Sequence, residues 1–313
     1  MTGKMNGAGA FADWIAVDWG STHLRAVCLG ADGSLLGEPA SAEDMAGLQP
    51  EEFEPALLRL IGPFLAHGRV TPVIACGMVG AKQGWHEVSY RAVPARPLEA
   101  VGVSPVPGTD PRIALFILPG LSQAAPADVM RGEETQCAGF IADNPNWDGV
   151  LCLPGTHTKW AEVSAGEVVS FQTFMTGELF GLLSNQSVLR HGMSAEAGWN
   201  DAGFASGMAD ALSRPQMLAA YLFRLRAEML IDGAQGDTQR ARLSGLLIGA
   251  ELAAARPYWL GRDVVVIGAD EISRLYETAL RDQGVPARSV SGRDMVLTGL
   301  MAAYATLAEK SWA

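Results

Sequence analysis

The segment Ile15–Val27, Ile-Ala-Val-Asp-Trp-Gly-Ser-Thr-His-Leu-Arg-Ala-Val, constrains this chain most, because its pattern returns later. An apolar strand runs into a small, hydroxyl-rich turn and emerges as a second strand. Leu24 to Leu29 and Ser34 to Gly37 then read as strands joined by Ala31-Asp32-Gly33, a hairpin signal. From Trp147 the pattern begins again: Gly149 to Leu153 is a strand, Pro154-Gly-Thr-His-Thr-Lys159 a turn, Trp160 to Val163 a strand, Ser164-Ala-Gly166 a hairpin and Glu167 to Phe171 a third strand. Laid on the first copy, Gly155 falls on Gly20, Thr156 on Ser21 and Ala161 on Ala26. A duplication predicts two similar domains, whereas a chance likeness between hairpins predicts only two turns. With 313 residues the chain is long enough for two domains, each with its own core.

The turns themselves carry chemistry. Gly20 lets backbone approach an anion, Ser21 and Thr22 bring hydroxyl and amide donors, and Asp18 places a carboxylate where it could hold a hydrated magnesium ion. The same residues also suit a tight hairpin in which Asp and Ser only satisfy the turn. The second copy has Pro154 where the first has Asp18, so it offers amides, hydroxyls and Lys159 but no metal-binding carboxylate. Two phosphate loops facing each other across a cleft would follow from the duplication.

Between the copies, Glu52 to Leu65 has helical apolar spacing and Val70 to Cys76 reads as a buried strand. That strand ends in Gly77-Met78-Val79-Gly80 with Trp85 close behind, either an ordinary turn or a ligand segment at a strand end. Tyr90 to Asp110 is proline-rich and reads as an extended connection, followed by a buried strand, Arg112 to Leu118. Asp128-Val-Met-Arg-Gly-Glu-Glu-Thr-Gln136 opens a helix running to about Ile141, with Glu133 and Glu134 in its first turn. Beyond Thr173 helices are expected at Gly177–Leu189, Ala195–Met208, Pro215–Leu230 and Thr238–Ala255. Thr176 is a candidate N-cap with exposed amides behind it. Small residues in Ser244-Gly-Leu-Leu-Ile-Gly-Ala-Glu251 suit close helix packing, and Glu251 reads as structural or as a nucleotide contact. A buried strand ends at Gly268, Asp270 caps a helix, and a strand at Ala287–Val290 and a helix at Asp294–Ala308 close the chain.

A formal net charge of -11, from Lys+Arg 23 against Asp+Glu 34, argues against nucleic acid or anionic membrane as a partner. Met1 to Asp13 lacks the apolar core of a signal peptide, and no later run approaches the roughly 20 residues of a membrane span. The expectation is a soluble, cytoplasmic protein. Cys28, Cys76, Cys137 and Cys152 have neither CxxC nor zinc spacing and read as buried free thiols.

Two three-stranded meanders with helices, and Gly268 after a late strand, resemble the actin-like ATPase and sugar kinase fold. The resemblance implies an α/β protein of two ribonuclease-H-like domains around an ATP cleft. The expected division is a loose N-terminus at 1–13, domains at 14–146 and 147–313, a helical insertion at about 177–256, and a last helix that could pack back on the first domain. More narrowly, Asp18-Trp-Gly-Ser-Thr, Gly77-Met-Val-Gly, Met130-Arg-Gly-Glu-Glu-Thr-Gln136, Pro154-Gly-Thr-His-x-Lys-Trp160, Met175-Thr-Gly-Glu-Leu179 and Ser244-Gly-Leu-Leu-Ile-Gly-Ala-Glu251 resemble the 2-dehydro-3-deoxygalactonokinases. That family phosphorylates 2-dehydro-3-deoxy-D-galactonate at its terminal hydroxyl with ATP in galactonate breakdown.

The resemblance implies Asp18 as magnesium ligand, and Glu133 or Glu134 as base, Glu133 slightly favoured. Gly20, Ser21, Thr22, Gly155, Thr156, His157, Thr158 and Lys159 would hold phosphates, and Gly268 the nucleotide. The sugar acid would meet Gly77, Met78, Gly80, Trp85, Arg131, Thr176, Gly177 and Glu178. ATP and magnesium are the expected cofactors, a small sugar acid the expected partner, and a homodimer the expected assembly. The second loop lacks the superfamily's usual Asp, and a single Gly268 replaces a Gly-Gly pair. An exopolyphosphatase would want an Asp and a glycine run in the second loop, a filament or chaperone ATPase further inserted segments, and a sugar-binding regulator a DNA-binding helix pair. A kinase for another keto-deoxy aldonate is the nearest alternative.

Overall fold

The computed structural model describes residues 11–21, 23–41, 47–99, 103–193, 198–233 and 236–311, except the side chains of 309–311. The chain divides into two compact units, one of residues 1–147, 164–170 and 292–313, the other of 148–163 and 171–291.

The first unit opens with β1 (Trp14–Trp19), β2 (Leu24–Leu29), β3 (Leu35–Gly37) and β4 (Ala40–Ser41), then α1 (Phe53–Ile61) and β5 (Thr71–Cys76). Short strands β6 (Arg91–Ala92) and β7 (Ser104–Pro105) precede β8 (Ile113–Ile117), β9 (Leu121–Ala124), β10 (Ala127–Met130) and α2 (Glu133–Asp143). The main sheet runs β3-β2-β1-β5-β8-β7. Alternation in β1 sends Ile15, Val17 and Trp19 into one core with Phe53, Leu57 and Ile61 of α1, and Trp14 and Ala16 into another with Ile74 and Cys76. β5 is buried along its whole length, as a parallel strand covered on both faces must be.

The chain continues through β11 (Gly149–Leu153), β12 (Thr158–Ser164), β13 (Glu167–Phe174), α3 (Thr176–Asn185), α4 (Asp201–Ser213), α5 (Leu218–Asp232), α6 (Gly236–Ala254), α7 (Arg256–Trp259), β14 (Val264–Gly268), α8 (Asp270–Asp282) and β15 (Arg288–Ser291). The second sheet runs β13-β12-β11-β14-β15. In both sheets the first strand pairs antiparallel with the strand that follows it and parallel with a later one, β5 or β14, and that strand pairs parallel with the next, β8 or β15. The repeat in sequence is therefore a repeat in topology.

The last helix, α9 (Gly292–Ser311), belongs to the first unit and packs Val296, Leu300 and Ala303 on the second face of its sheet. It crosses α2 backbone to backbone: a Cβ on Gly139 would stand 2.0 Å from Met295 O, and one on Gly299 2.1 Å from Thr135 O. In the second unit α4 and α6 meet in the same way at Gly207, Gly245 and Gly249.

Four local expectations need correction. Ala127–Met130 forms a strand hairpinned to β9, and α2 begins only at Glu133, because Gly132 has φ 106, which a helix cannot use. Thr176 is the first residue of α3, after Met175 at the N-cap, and its hydroxyl turns inward. Ala269, rather than Asp270, is the N-cap of α8. The helix expected from Ala195 starts at Asp201, capped by Asn200 Oδ1 accepting from Gly203 N at 2.8 Å, and residues 194–197 lie outside the described residues. All four cysteines are free and buried. Among the described residues no helix is long and apolar enough to cross a membrane.

Candidate active site

In the first unit three chain segments converge at the C-terminal ends of β1 and β5. Parallel pairing sets Asp18 beside Cys76, so the residues that follow, Gly20 and Gly77, leave the sheet together. A Cβ on Gly77 would lie 2.7 Å from Trp19 O, and one on Gly132 3.5 Å from Gly77 Cα. At Gly77 the contact leaves no room for a side chain, and both glycines hold positive φ, 93 and 106, where the start of α2 meets the strand ends.

Asp18, Glu133 and Glu134 form an acidic cluster there. Asp18 is half-buried, and Cys76 Sγ lies 4.0 Å from its Oδ1. Burial, the largest influence, raises its pKa; Arg25 and His23 oppose that, and the charge of Glu133 adds to it. Glu134 is fully buried, and Glu133 is half-buried. Both carboxylates fold back on the helix entry: Arg131 N donates to Glu133 Oε2 at 3.1 Å, and Gly132 N to Glu134 Oε2 at 2.6 Å. Thr135 Oγ1 also donates to Glu134 Oε1 at 3.1 Å.

Burial and the neighbouring charge of Glu133 nevertheless push Glu134 from 4.5 up to about 8. A helix N-terminus stabilises an anion by up to ~2 kcal/mol, and one pKa unit is worth about 1.4 kcal/mol, so desolvation outweighs the dipole here. Glu134 therefore holds a proton at neutral pH. A raised folded pKa means that its contribution to stability is complete below its unfolded value and lost as pH rises through about 8. Wild-type melting temperature is accordingly expected to fall between about pH 5 and about pH 9 more steeply than that of Glu134→Gln, which should be relatively more stable at the alkaline end. Parallel melting profiles would refute the buried acid.

The other residues expected in this unit divide into open and packed ones. Ser21 is exposed, and a Cβ on Gly20 would meet nothing within 4 Å, so packing does not demand that glycine. Thr22 lies outside the described residues. Met78 and Trp85 are partly buried against the core, where the Trp85 ring centroid sits 6.3 Å from both Trp19 and Phe53. Arg131, expected to offer a charged fork to a carboxylate, is instead 8% exposed. Its Nη2 donates to Val88 O at 2.6 Å, its guanidinium lies 4.3 Å over the Tyr90 ring, and a Cβ on Gly80 would come within 2.8 Å of Nη1. In this geometry Arg131 is tied to the segment 80–90 through Nη2, while its buried Nε and Nη1 have no hydrogen-bond partner.

In the second unit, residues 154–157 link β11 to β12, with Gly155, Thr156 and His157 exposed. The first turn of α3 is fastened to this loop. A Cβ on Gly177 would lie 2.2 Å from Gly155 O, Glu178 N donates to Thr156 O at 2.9 Å, and His157 Nε2 lies 2.5 Å from Glu178 Oε2. Lys159 is buried, and its Nζ donates to His157 O at 3.1 Å, so its charge is turned onto its own loop. Beside the loop lies a cavity of about 340 Å³. Gly155, Thr158, Thr176 and Gly177 line it with Trp199, Arg240, Ser244 and Tyr276. Gly268 is adjacent: a Cβ there would stand 2.9 Å from Ser273 Oγ and 3.6 Å from Pro154 Cδ.

Residues 18–303 match the 2-keto-3-deoxy-galactonokinase family. The chain belongs to that family. It is 40% identical over 307 residues to the Rhizobium meliloti (strain 1021) protein named "Probable 2-dehydro-3-deoxygalactonokinase DgoK1", covering 96% of this chain and 98% of the other. It is 32% identical over 300 residues to the Escherichia coli (strain K12) 2-dehydro-3-deoxygalactonokinase, covering 92% and 96%. A crystal structure from Sinorhizobium meliloti, provisionally described as a 2-dehydro-3-deoxygalactonokinase, superposes with TM-score 0.86 at 36% identity over 96% of this chain and 98% of that one. The Acidaminococcus fermentans (R)-2-hydroxyglutaryl-CoA dehydratase component A shares the fold alone, with TM-score 0.52 and 13% identity over 94% and 98%. This kinase-family chain thus has the actin-like ATPase and sugar kinase fold.

For a member of this family the sequence left several cavity residues unmarked. Arg240 stacks 4.8 Å over the Phe180 ring, and both line the cavity with Trp199 and Tyr276. None lies in a recognisable motif. Tyr276 shows only as an inward position of the amphipathic α8, which a core tyrosine would share.

Proposed function

We propose that this protein transfers the γ-phosphoryl group of ATP to the terminal hydroxyl of 2-dehydro-3-deoxy-D-galactonate, giving the 6-phosphate, as a step of galactonate catabolism. Family membership supports the reaction, and one observation supports the way this chain performs it. Of two adjacent glutamates at the start of α2, Glu133 is half-buried beside Asp18 while Glu134 is sealed in. Glu133 then accepts the proton of the attacking hydroxyl as its oxygen bonds to phosphorus and the bond from phosphorus to the β,γ-bridging oxygen breaks, releasing ADP.

Asp18 fits a magnesium ligand. Its carboxylate carries an unfavourable burial that a cation would relieve, and magnesium is commonly held by one or two carboxylates with water and phosphates. Among the described residues no group of three or more His, Cys, Asp or Glu side chains could hold a metal. Bound there, the ion would neutralise phosphate charge. Gly20, Ser21 and the loop 154–157 supply open backbone and hydroxyls for phosphates, and the second-unit cavity accepts the nucleoside. The segment Gly77 to Trp85 is the sugar-acid side, since Gly77 follows Cys76 and lies close to Gly132 at the acidic cluster, whereas Thr176, Gly177 and Glu178, expected on the sugar acid, adjoin the second-unit cavity and its loop.

Purified protein assayed with ATP and magnesium on a panel of aldonates, keto-deoxy aldonates and hexoses tests this reading. The keto-deoxy galactonate is expected to be phosphorylated best. Uncharged hexoses should be at least about 10-fold to 100-fold poorer, since they leave acid-binding donors unpaired. Preference for another keto-deoxy aldonate would move the substrate assignment, and ATP or polyphosphate hydrolysis without any acceptor would favour a phosphohydrolase. Comparable turnover of glucose or galactose would show that the pocket is not built around an acid.

A further inference from the structure

Four elements meet at one buried carboxylate, Glu251 of α6, which is 3% exposed. Its Oε1 accepts from Trp160 Nε1 of β12 at 2.8 Å, and its Oε2 accepts from the Tyr276 hydroxyl of α8 at 2.8 Å and from the Thr176 hydroxyl of α3. The Tyr276 hydroxyl lies 3.1 Å from Thr158 Oγ1. Thr158, Thr176 and Tyr276 all line the cavity.

These partners have a common destination. Thr158 directly follows the loop 154–157, and Trp160 stands two residues further along the same strand. Thr176 begins the helix whose next two residues grip Gly155 and Thr156. Both the strand leaving the loop and the helix clamped on it are therefore tied to Glu251. A carboxylate suits the position because, when ionised, it has only acceptor sites, while three donors converge on two oxygens. Burial pushes the acid up to about 7, and an apolar residue in its place would leave three buried donors without their acceptor.

We propose that Glu251 is a positioning residue for the phosphate side of the nucleotide pocket, holding the 154–157 loop and the start of α3 in one geometry through Trp160, Tyr276, Thr158 and Thr176. The inference rests on the second-unit cavity being the nucleotide site. Glu251→Gln, Glu251→Ala and Tyr276→Phe, each checked for folding by melting temperature, are compared with wild type by calorimetric titration with a non-hydrolysable ATP analogue and by steady-state kinetics. Hydrogen bonds to a charged group correspond to roughly a 10-fold to 100-fold change in affinity. Both Glu251 variants are thus expected to weaken analogue binding and raise the KM for ATP by about 10-fold or more. The KM for the sugar acid should stay within about 2-fold, and Tyr276→Phe, which deletes one of the three bonds, should move the same parameter less. Should Glu251→Ala fail to fold, Glu251→Gln and Tyr276→Phe carry the test. Unchanged analogue affinity in the folded variants overturns the proposal, as does an equal loss for both substrates. A wild-type protein that does not bind the analogue would instead overturn the nucleotide-site reading.

Discussion

Replacing Glu133 by Gln is expected to lower turnover by about 100-fold to 10,000-fold while leaving ATP binding within a few-fold of wild type, the range general-base help supplies. The substitution keeps the shape and the contact to Arg131 N, since the amide oxygen can still accept, but removes the site that takes the hydroxyl proton. Glu134→Gln is the internal control. Glu134 already holds a proton near neutral pH, so exchanging a neutral acid for a neutral amide should change the rate little. Single-turnover measurements on both variants with the keto-deoxy acid separate the phosphoryl step from binding. Near wild-type turnover in Glu133→Gln would place the base elsewhere, and a large loss in Glu134→Gln alone would reverse the assignment of the two.

Asp18→Asn should cost turnover at least about 100-fold, because charge neutralisation by a bound cation is worth several kcal/mol and each 1.36 kcal/mol is tenfold in rate. Sugar binding should hardly change, while the magnesium concentration needed for half-maximal rate should rise. Stability has the opposite sign. The Asp18 pKa is raised by burial, so its charged form is disfavoured in the fold, and a neutral Asn at neutral pH should leave the melting temperature unchanged or higher. A residue that only satisfied its turn would give the reverse pattern, lost stability with the rate kept. Turnover and melting temperature on one preparation decide between the two, and full activity in Asp18→Asn would remove Asp18 from the metal site.

Much of the local structure can be read along the chain because it depends on neighbours in sequence. The two meanders and the small residues of Ser244–Glu251 announce themselves through spacing, and the glycines along α6 do meet α4 backbone to backbone. The helix start at Glu133 could be read less well, since Asp128-Val-Met looks like a helix entry until β9 is there to pair with it. Similarly, Thr176 has the chemistry of an N-cap. Its hydroxyl is claimed by Glu251, 75 residues away in sequence, and no local pattern carries that information.

The duplicated α/β topology and the set of groups available for phosphoryl transfer are legible along the chain, and the family shows through the likeness of its motifs. The topology follows from residue type and short-range spacing, which set strand, turn and helix. What those groups can do depends on where the fold places them. Helical geometry says only that Glu133 and Glu134 point about 100° apart. Burial leaves Glu133 half-open while raising the pKa of Glu134, and it turns Arg131 onto Val88 O and Tyr90. Lys159 is likewise folded onto its own loop, and Glu251 is surrounded by donors from three other elements. Desolvation and long-range hydrogen bonding depend on what the fold brings alongside a side chain, so the identity of a residue fixes its chemistry only after its neighbours are known.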